Sequence, residues 1–201
     1  MRPFRIGGAL IVFGVLVWGS SLPMMHRLDE AATTWLQRAA PAPDYLASAV
    51  VFFGNAELVI PAVVLAAGLY WLMRRDSGLG ILWLAVGLSL ASLLAVTLKY
   101  LIIHPGPTAE FQRPVIQIGL RADIPYSFPS GHTLRTTLLA WTSLQGARWV
   151  AGLLILGMMT ALVYLGDHWL SDVLGGLCLG WLFLETRGAF KSVRSRNCHR
   201  G

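Results

Sequence analysis

Two histidines, each at the polar edge of a long apolar run, are the residues in this chain best placed to do chemistry. The first lies in Tyr126-Ser127-Phe128-Pro129-Ser130-Gly131-His132-Thr133-Leu134-Arg135, the second in Tyr164-Leu165-Gly166-Asp167-His168-Trp169-Leu170-Ser171-Asp172. Ionisable groups in such surroundings are costly, and by default they mark function. His168 and Asp172 are four apart, so a helix starting near His168 puts them on one face. A carboxylate on one ring nitrogen fixes the tautomer and raises the basicity of the other, which makes His168 a candidate nucleophile or general base oriented by Asp172. The plainer alternative is a first-turn carboxylate that only offsets the helix dipole; Asp167 is given that role. Pro129-Ser130-Gly131-His132 precedes an apolar helix, whose free N–H groups form an anion site. The Ser130 hydroxyl and the close approach that Gly131 permits would add to it. His132 then sits over the anion as a proton donor, and Lys99 adds positive charge. An anion cradle, a proton donor and an oriented histidine describe phosphoryl transfer through a phosphohistidine. A Ser-His-Asp hydrolase built on Ser130 is the alternative, but no G-x-S-x-G elbow is present. Paired histidines could ligate a haem, but there is no second pair or attachment motif. No Cys/His/carboxylate group has metal-ligand spacing, so neither metal nor cofactor is expected.

The elements that must position these groups are apolar helices. The chain is 55% hydrophobic and 13% charged, with mean hydropathy +0.61, against roughly 25% charged residues in soluble domains. That composition indicates a single-domain, all-α integral membrane protein over residues 1–201. Cys178 and Cys198 suggest no disulfide framework. The net charge of +6 does not indicate nucleic acid, because the basic residues are scattered between apolar runs.

Six spans are expected, at about 6–22, 57–73, 79–103, 131–144, 149–166 and 169–184. The first resembles the front of a signal peptide, but it ends without a small-x-small site and is read as retained. Between the first and second spans, 25–44 has helical spacing of Leu28, Ala31, Ala32, Trp35 and Leu36 and reads as an interfacial helix. Ala40-Pro41-Ala42-Pro43 breaks it, and 45–53 reads as a second surface or re-entrant helix. Residues 104–130 form a Pro-rich loop too long for a mere connector. A basic tail follows from 187 to 201. With six spans, ten Lys and Arg residues fall on the side of the termini and six on the other. The positive-inside rule then makes the termini cytoplasmic, and Lys99, His132, His168 and Asp172 converge on the outer face.

PSGH at 129–132 and H-x3-D at 168–172, behind Lys99, resemble the motifs of the type-two phosphatidic acid phosphatase superfamily of membrane lipid phosphatases. That family carries K-x6-RP, PSGH and SR-x5-H-x3-D, and the resemblance covers roughly residues 55–185. It implies a metal-independent hydrolase of lipid phosphates. His168 would be the nucleophile, Asp172 its partner and His132 the acid, with Lys99, Ser130 and Gly131 on phosphate. The chain departs from the pattern at two positions. The first motif's Arg-Pro falls on Gly106-Pro107 and the third motif's Ser-Arg on Ala161-Leu162. Arg135, one turn past His132, and Arg113, in a displaced Arg-Pro, are the candidate replacements. The expected substrate is a lipid phosphate or polyprenyl diphosphate in a bacterial inner membrane. A non-hydrolytic lipid-phosphate binder or transporter and a lipid phosphotransferase remain open, and the chain does not reveal the oligomeric state.

Overall fold

The computed structural model describes residues 2–39, 44–74, 79–114, 124 and 126–198, with side chains described only within 6–38, 44–73, 81–114, 124 and 126–185. The expected break at 40–43, residues 75–78 and the middle of the expected long loop lie outside the described residues. Among the described residues eight helices follow in order: α1 Arg2–Gly19, α2 Pro23–Ala39, α3 Asp44–Phe52, α4 Ala56–Arg74, α5 Leu79–Leu101, α6 Gly131–Ser143, α7 Arg148–Leu165 and α8 Leu170–Cys198. No strand occurs among the described residues.

Among the described residues, three helical stretches are long and apolar enough to cross a membrane: Ala56–Met73, Ile81–Leu101 and Arg148–Leu165. A fourth is added if Ile6–Gly19 and Pro23–Arg38, bent by 97°, form one broken span. α6 and α8 depart from the expected spans in length. At 13 residues, α6 is about 20 Å long, well short of the roughly 30 Å hydrocarbon core. α8 is longer than expected, continuing as helix through the basic tail to Cys198. The outward faces of α1, α4, α5 and α7 carry large exposed apolar side chains such as Ile11, Trp18, Leu65, Leu93, Trp149 and Leu156. These are the lipid-facing surface of an integral membrane protein.

α6 is the central element. Thr133, Leu134, Arg135, Thr137, Leu138 and Ala140 are all buried in it, and the hydroxyls of the two buried threonines are satisfied locally, Thr133 by Ser130 Oγ at 3.3 Å and Thr137 by the Thr133 carbonyl at 2.7 Å. Leu134 and Leu138 join Val59, Leu88, Ala91, Ala95 and Leu179 in the main core. In lipid, where expulsion of water drives little, helices associate by close packing over small residues. α8 supplies these: a methyl group on Gly176 would collide with the Ser130 carbonyl, and one on Gly180 would come 2.9 Å from Thr137.

α2 turns its apolar residues outward and polar ones inward. Met24, Leu28 and Trp35 are exposed, whereas Asp29 and Thr33, four apart, are buried. The apolar stripe read in the sequence is therefore largely outside, as suits a helix lying in the membrane interface, and a polar stripe faces the protein.

Candidate active site

The α7–α8 turn builds one half of the site. Gly166 ends α7 at φ 71°, a left-handed conformation that glycine adopts without steric cost. The same glycine lies directly against the Phe111 carbonyl. The Asp167 and His168 N–H groups return to the Leu162 carbonyl at 3.0 and 3.4 Å, which closes the helix end and holds His168 at the mouth of α8. Asp172 then does two things with one oxygen: Oδ2 accepts the Trp169 N–H at 2.9 Å, capping α8, and the His168 Nδ1–H at 3.2 Å. The same carboxylate thus caps the helix end and touches the His168 ring. His168 is 7% exposed. Burial, reinforced by the positive charges of Lys99 and Arg135 and by His104, holds its imidazole well below the usual range, so it stays neutral.

The start of α6 builds the other half. Ser130 caps the helix, its hydroxyl accepting the Thr133 N–H at 3.4 Å and the Thr133 hydroxyl at 3.3 Å. The Ser130 N–H donates to the Asp172 carbonyl at 3.0 Å, joining the two halves through the backbone. His132 projects from the first turn, its ring 6.2 Å from that of His168. Its Nε2 donates to Asn55 Oδ1 at 2.7 Å, which leaves Nδ1 as the nitrogen able to exchange a proton.

Arg135 is buried and folds back along α6: Nε donates to the Gly54 carbonyl at 2.8 Å, and Nη1 lies beside Gly131, where a methyl group would stand 2.9 Å from it. Among the described residues, neither Nη group donates to a protein acceptor, and the acid in electrostatic reach is Glu57. The guanidinium thus sits at the helix start where an anion would bind. Lys99, at the end of α5, is in electrostatic reach of His132, His168, Arg135 and Asp172. Five expected site residues besides the His168–Asp172 pair therefore meet at one place: His132, Lys99, Ser130, Gly131 and Arg135.

Arg113 does not join them in the way expected of a phosphate ligand. Its guanidinium lies 4.7 Å over the Tyr164 ring, 4.0 Å from Asp44 and 3.2 Å from the Gln37 carbonyl, and its N–H bonds Leu165. It staples the post-α5 loop to α2, α3 and α7. Trp169 helps, donating to the Pro105 carbonyl at 2.9 Å.

Five residues around the site escaped the sequence reading: Gly54, Asn55, Asp29, His104 and Ser171. Gly54-Asn55 reads locally as nothing more than a helix end, and Asp29 as one polar residue of an amphipathic helix. Among the described residues, no group of three or more His, Cys, Asp or Glu is arranged to hold a metal ion.

The sequence profile of the PAP2 superfamily matches residues 80–191. The fold is similar to that of the first transmembrane PAP2-type phosphatidylglycerolphosphate phosphatase from Bacillus subtilis. The TM-score is 0.75 at 21% identity, covering 94% of this chain and 96% of that one. LpxE from Aquifex aeolicus is also similar, with TM-score 0.54 at 19% identity over 79% of this chain and 95% of that one. No curated protein sequence matches the chain.

Proposed function

The chain belongs to the PAP2 superfamily, and from that premise we propose that it is a membrane-embedded phosphatase acting on a lipid phosphate or polyprenyl diphosphate through a phosphohistidine. The observation that carries the reading is the geometry of the two histidines: His168 Nδ1 bonded to Asp172 Oδ2, with the His132 ring 6.2 Å away. With Nδ1 donating to the carboxylate, the lone pair of His168 Nε2 is the nucleophile. It attacks phosphorus, the P–N bond forms as the P–O bond to the lipid breaks, and His132, protonated on Nδ1 as well as on Nε2 when substrate is bound, gives its Nδ1 proton to the departing oxygen. His132 then takes a proton from water, which displaces His168 and releases phosphate. Arg135, Lys99, Ser130 and the N–H groups at Gly131 offset the phosphate charge. No metal or cofactor takes part.

In this reading the chain is one domain crossing a bacterial inner membrane six times, through α1, α4, α5, α6, α7 and α8, with α2 and α3 at the interface. The ten-to-six division of basic residues supports cytoplasmic termini and a site facing outward. The short α6 crosses where neighbours and local thinning of the bilayer shorten the path. A cysteine introduced at Thr108 should then react only from outside, and one at Gly78 or Ser195 only from the cytoplasm; cytoplasmic labelling at Thr108 inverts the orientation.

Phosphate release from phosphatidic acid, phosphatidylglycerol phosphate and a polyprenyl diphosphate in detergent, with and without chelator, tests the activity. Release should survive chelator and vanish in His168→Ala. A second reading has its own observation: Gly106 and Leu162 stand where the family has arginines. If the protein neither releases phosphate nor binds vanadate, a non-hydrolytic lipid-phosphate binder or transporter takes over. Phosphate passed to an added lipid alcohol instead of water would make it a phosphotransferase.

A further inference from the structure

Behind Asp172 lies a second polar layer that the proposed reaction does not use. Asp29 of α2, His104 of the post-α5 loop, and Ser171 and Asp172 of α8 are 1%, 0%, 1% and 0% exposed. Two carboxylates buried together are costly unless donors or a cation offset them. Ser171 serves Asp29 twice, its N–H to Oδ1 at 2.8 Å and its hydroxyl to Oδ2 at 2.7 Å. Asp172 Oδ2 is held by His168 and Trp169. Its other oxygen, Oδ1, accepts no conventional hydrogen bond among the described residues and faces His104 Nε2 at 3.5 Å. The neighbouring Ser127 hydroxyl donates to the His104 carbonyl at 3.1 Å and also lies within reach of Asp172.

The donor inventory around His104 determines where its protons belong. Nδ1 is 3.2 Å from the Ser20 carbonyl, which can only accept, so Nδ1 carries a proton. Nε2 is 3.2 Å from Ser171 Oγ, 3.5 Å from Asp172 Oδ1 and 3.9 Å from Asp29 Oδ2. The single Ser171 hydroxyl proton goes to Asp29, so with both carboxylates ionised a lone pair on Nε2 would face three oxygens with no proton between them. A proton there serves Ser171 Oγ and faces both carboxylates. The ring plane is set by His26 stacked at 5.2 Å and by the edge of Phe128 at 6.2 Å.

We propose that His104, carrying a proton on each ring nitrogen and clamped by Asp29 and Ser171, is a positioning residue for Asp172. It fixes the Oδ1 edge of that carboxylate and balances its charge, so that Oδ2 keeps His168 in the tautomer with a free Nε2. The proposal rests on His168 and Asp172 being the catalytic pair.

The test joins a spectroscopic readout to a kinetic one, on full-length protein in detergent with 15N-labelled histidine. The His168 Nδ1 proton, identified by its loss in Asp172→Asn, should shift or vanish in His104→Gln and, separately, in Asp29→Asn. With phosphatidic acid in mixed micelles, both variants should lose roughly 10- to 100-fold in kcat with KM little changed. If His104→Gln fails to fold, as judged by its thermal midpoint, Asp29→Asn carries the test. An unchanged His168 signal in the folded variants overturns the proposal, and so does a moved signal with unchanged kcat. Failure of the parent reading looks different: activity would persist in His168→Ala, or be absent from the unmodified protein, whatever the NMR arm shows.

Discussion

The two histidines face each other across the site, but their supports differ. His168 is backed by a carboxylate, at 3.2 Å on Nδ1, and sits in a turn held by the ends of two helices. His132 is backed by a neutral amide, Asn55 at 2.7 Å on Nε2, from the junction of α3 and α4. A carboxylate stabilises the charge that grows on a nucleophilic imidazole, whereas an amide orients a ring without adding negative charge. The difference suits the proposed roles, in which His168 attacks and His132 gives and takes the proton.

Removing the attacking side should have the largest effect. His168→Ala is expected to lower kcat by roughly 10^4-fold or more, on the scale of losing the nucleophile from a catalytic triad, and acid-quenched protein should carry no phosphohistidine. Asp172→Asn keeps the shape but removes the charge behind His168. Its expected loss is about 10^4-fold in kcat, by analogy with the corresponding change in a serine protease triad, and a fall of less than tenfold would make the carboxylate a helix cap alone.

On the proton-transferring side the loss should depend on the substrate. His132→Gln should cost roughly 10^2- to 10^4-fold with alkyl phosphates and much less with p-nitrophenyl phosphate, whose leaving group needs no proton. Equal losses with both would remove the acid role. Between the two sides lies Arg135, whose fork suits phosphate oxygens in a way lysine cannot copy. Arg135→Lys and Arg135→Ala should both weaken vanadate inhibition, by about tenfold for the loss of about 1.4 kcal/mol. Folded variants inhibited as strongly as the unmodified protein would leave this arginine a purely structural tie to Gly54.

The smallest effect concerns pH. Burial keeps His168 below the usual imidazole range, so between its folded value and about 6.5 the unfolded chain binds the proton and the native protein does not. The associated stability is complete above about pH 6.5 and is lost as pH falls through the folded value. The thermal midpoint should therefore drop on acidification, and drop less in His168→Gln; equal drops would show that other groups carry the acid sensitivity.

What the sequence determined by itself is whatever lies within a turn or two of helix. His168 and Asp172 meet because four residues are one helical turn, Ser130 caps α6 because Pro-Ser-Gly precedes an apolar run, and Arg135 reaches Gly131 by folding back one turn. The apolar runs likewise foretold an all-helical membrane protein. Tertiary structure alone decided the rest. Asn55 and Gly54 reach α6 across 77 and 81 residues, and Asp29 reaches Ser171 across 142. Arg113, in a loop with no helical period to aim it, was taken by Tyr164, Asp44 and Gln37. The face that α2 buries could not be read from its stripe, because in lipid an apolar face can be satisfied outside as well as inside. The polar cluster around His104 then determined which way α2 turned.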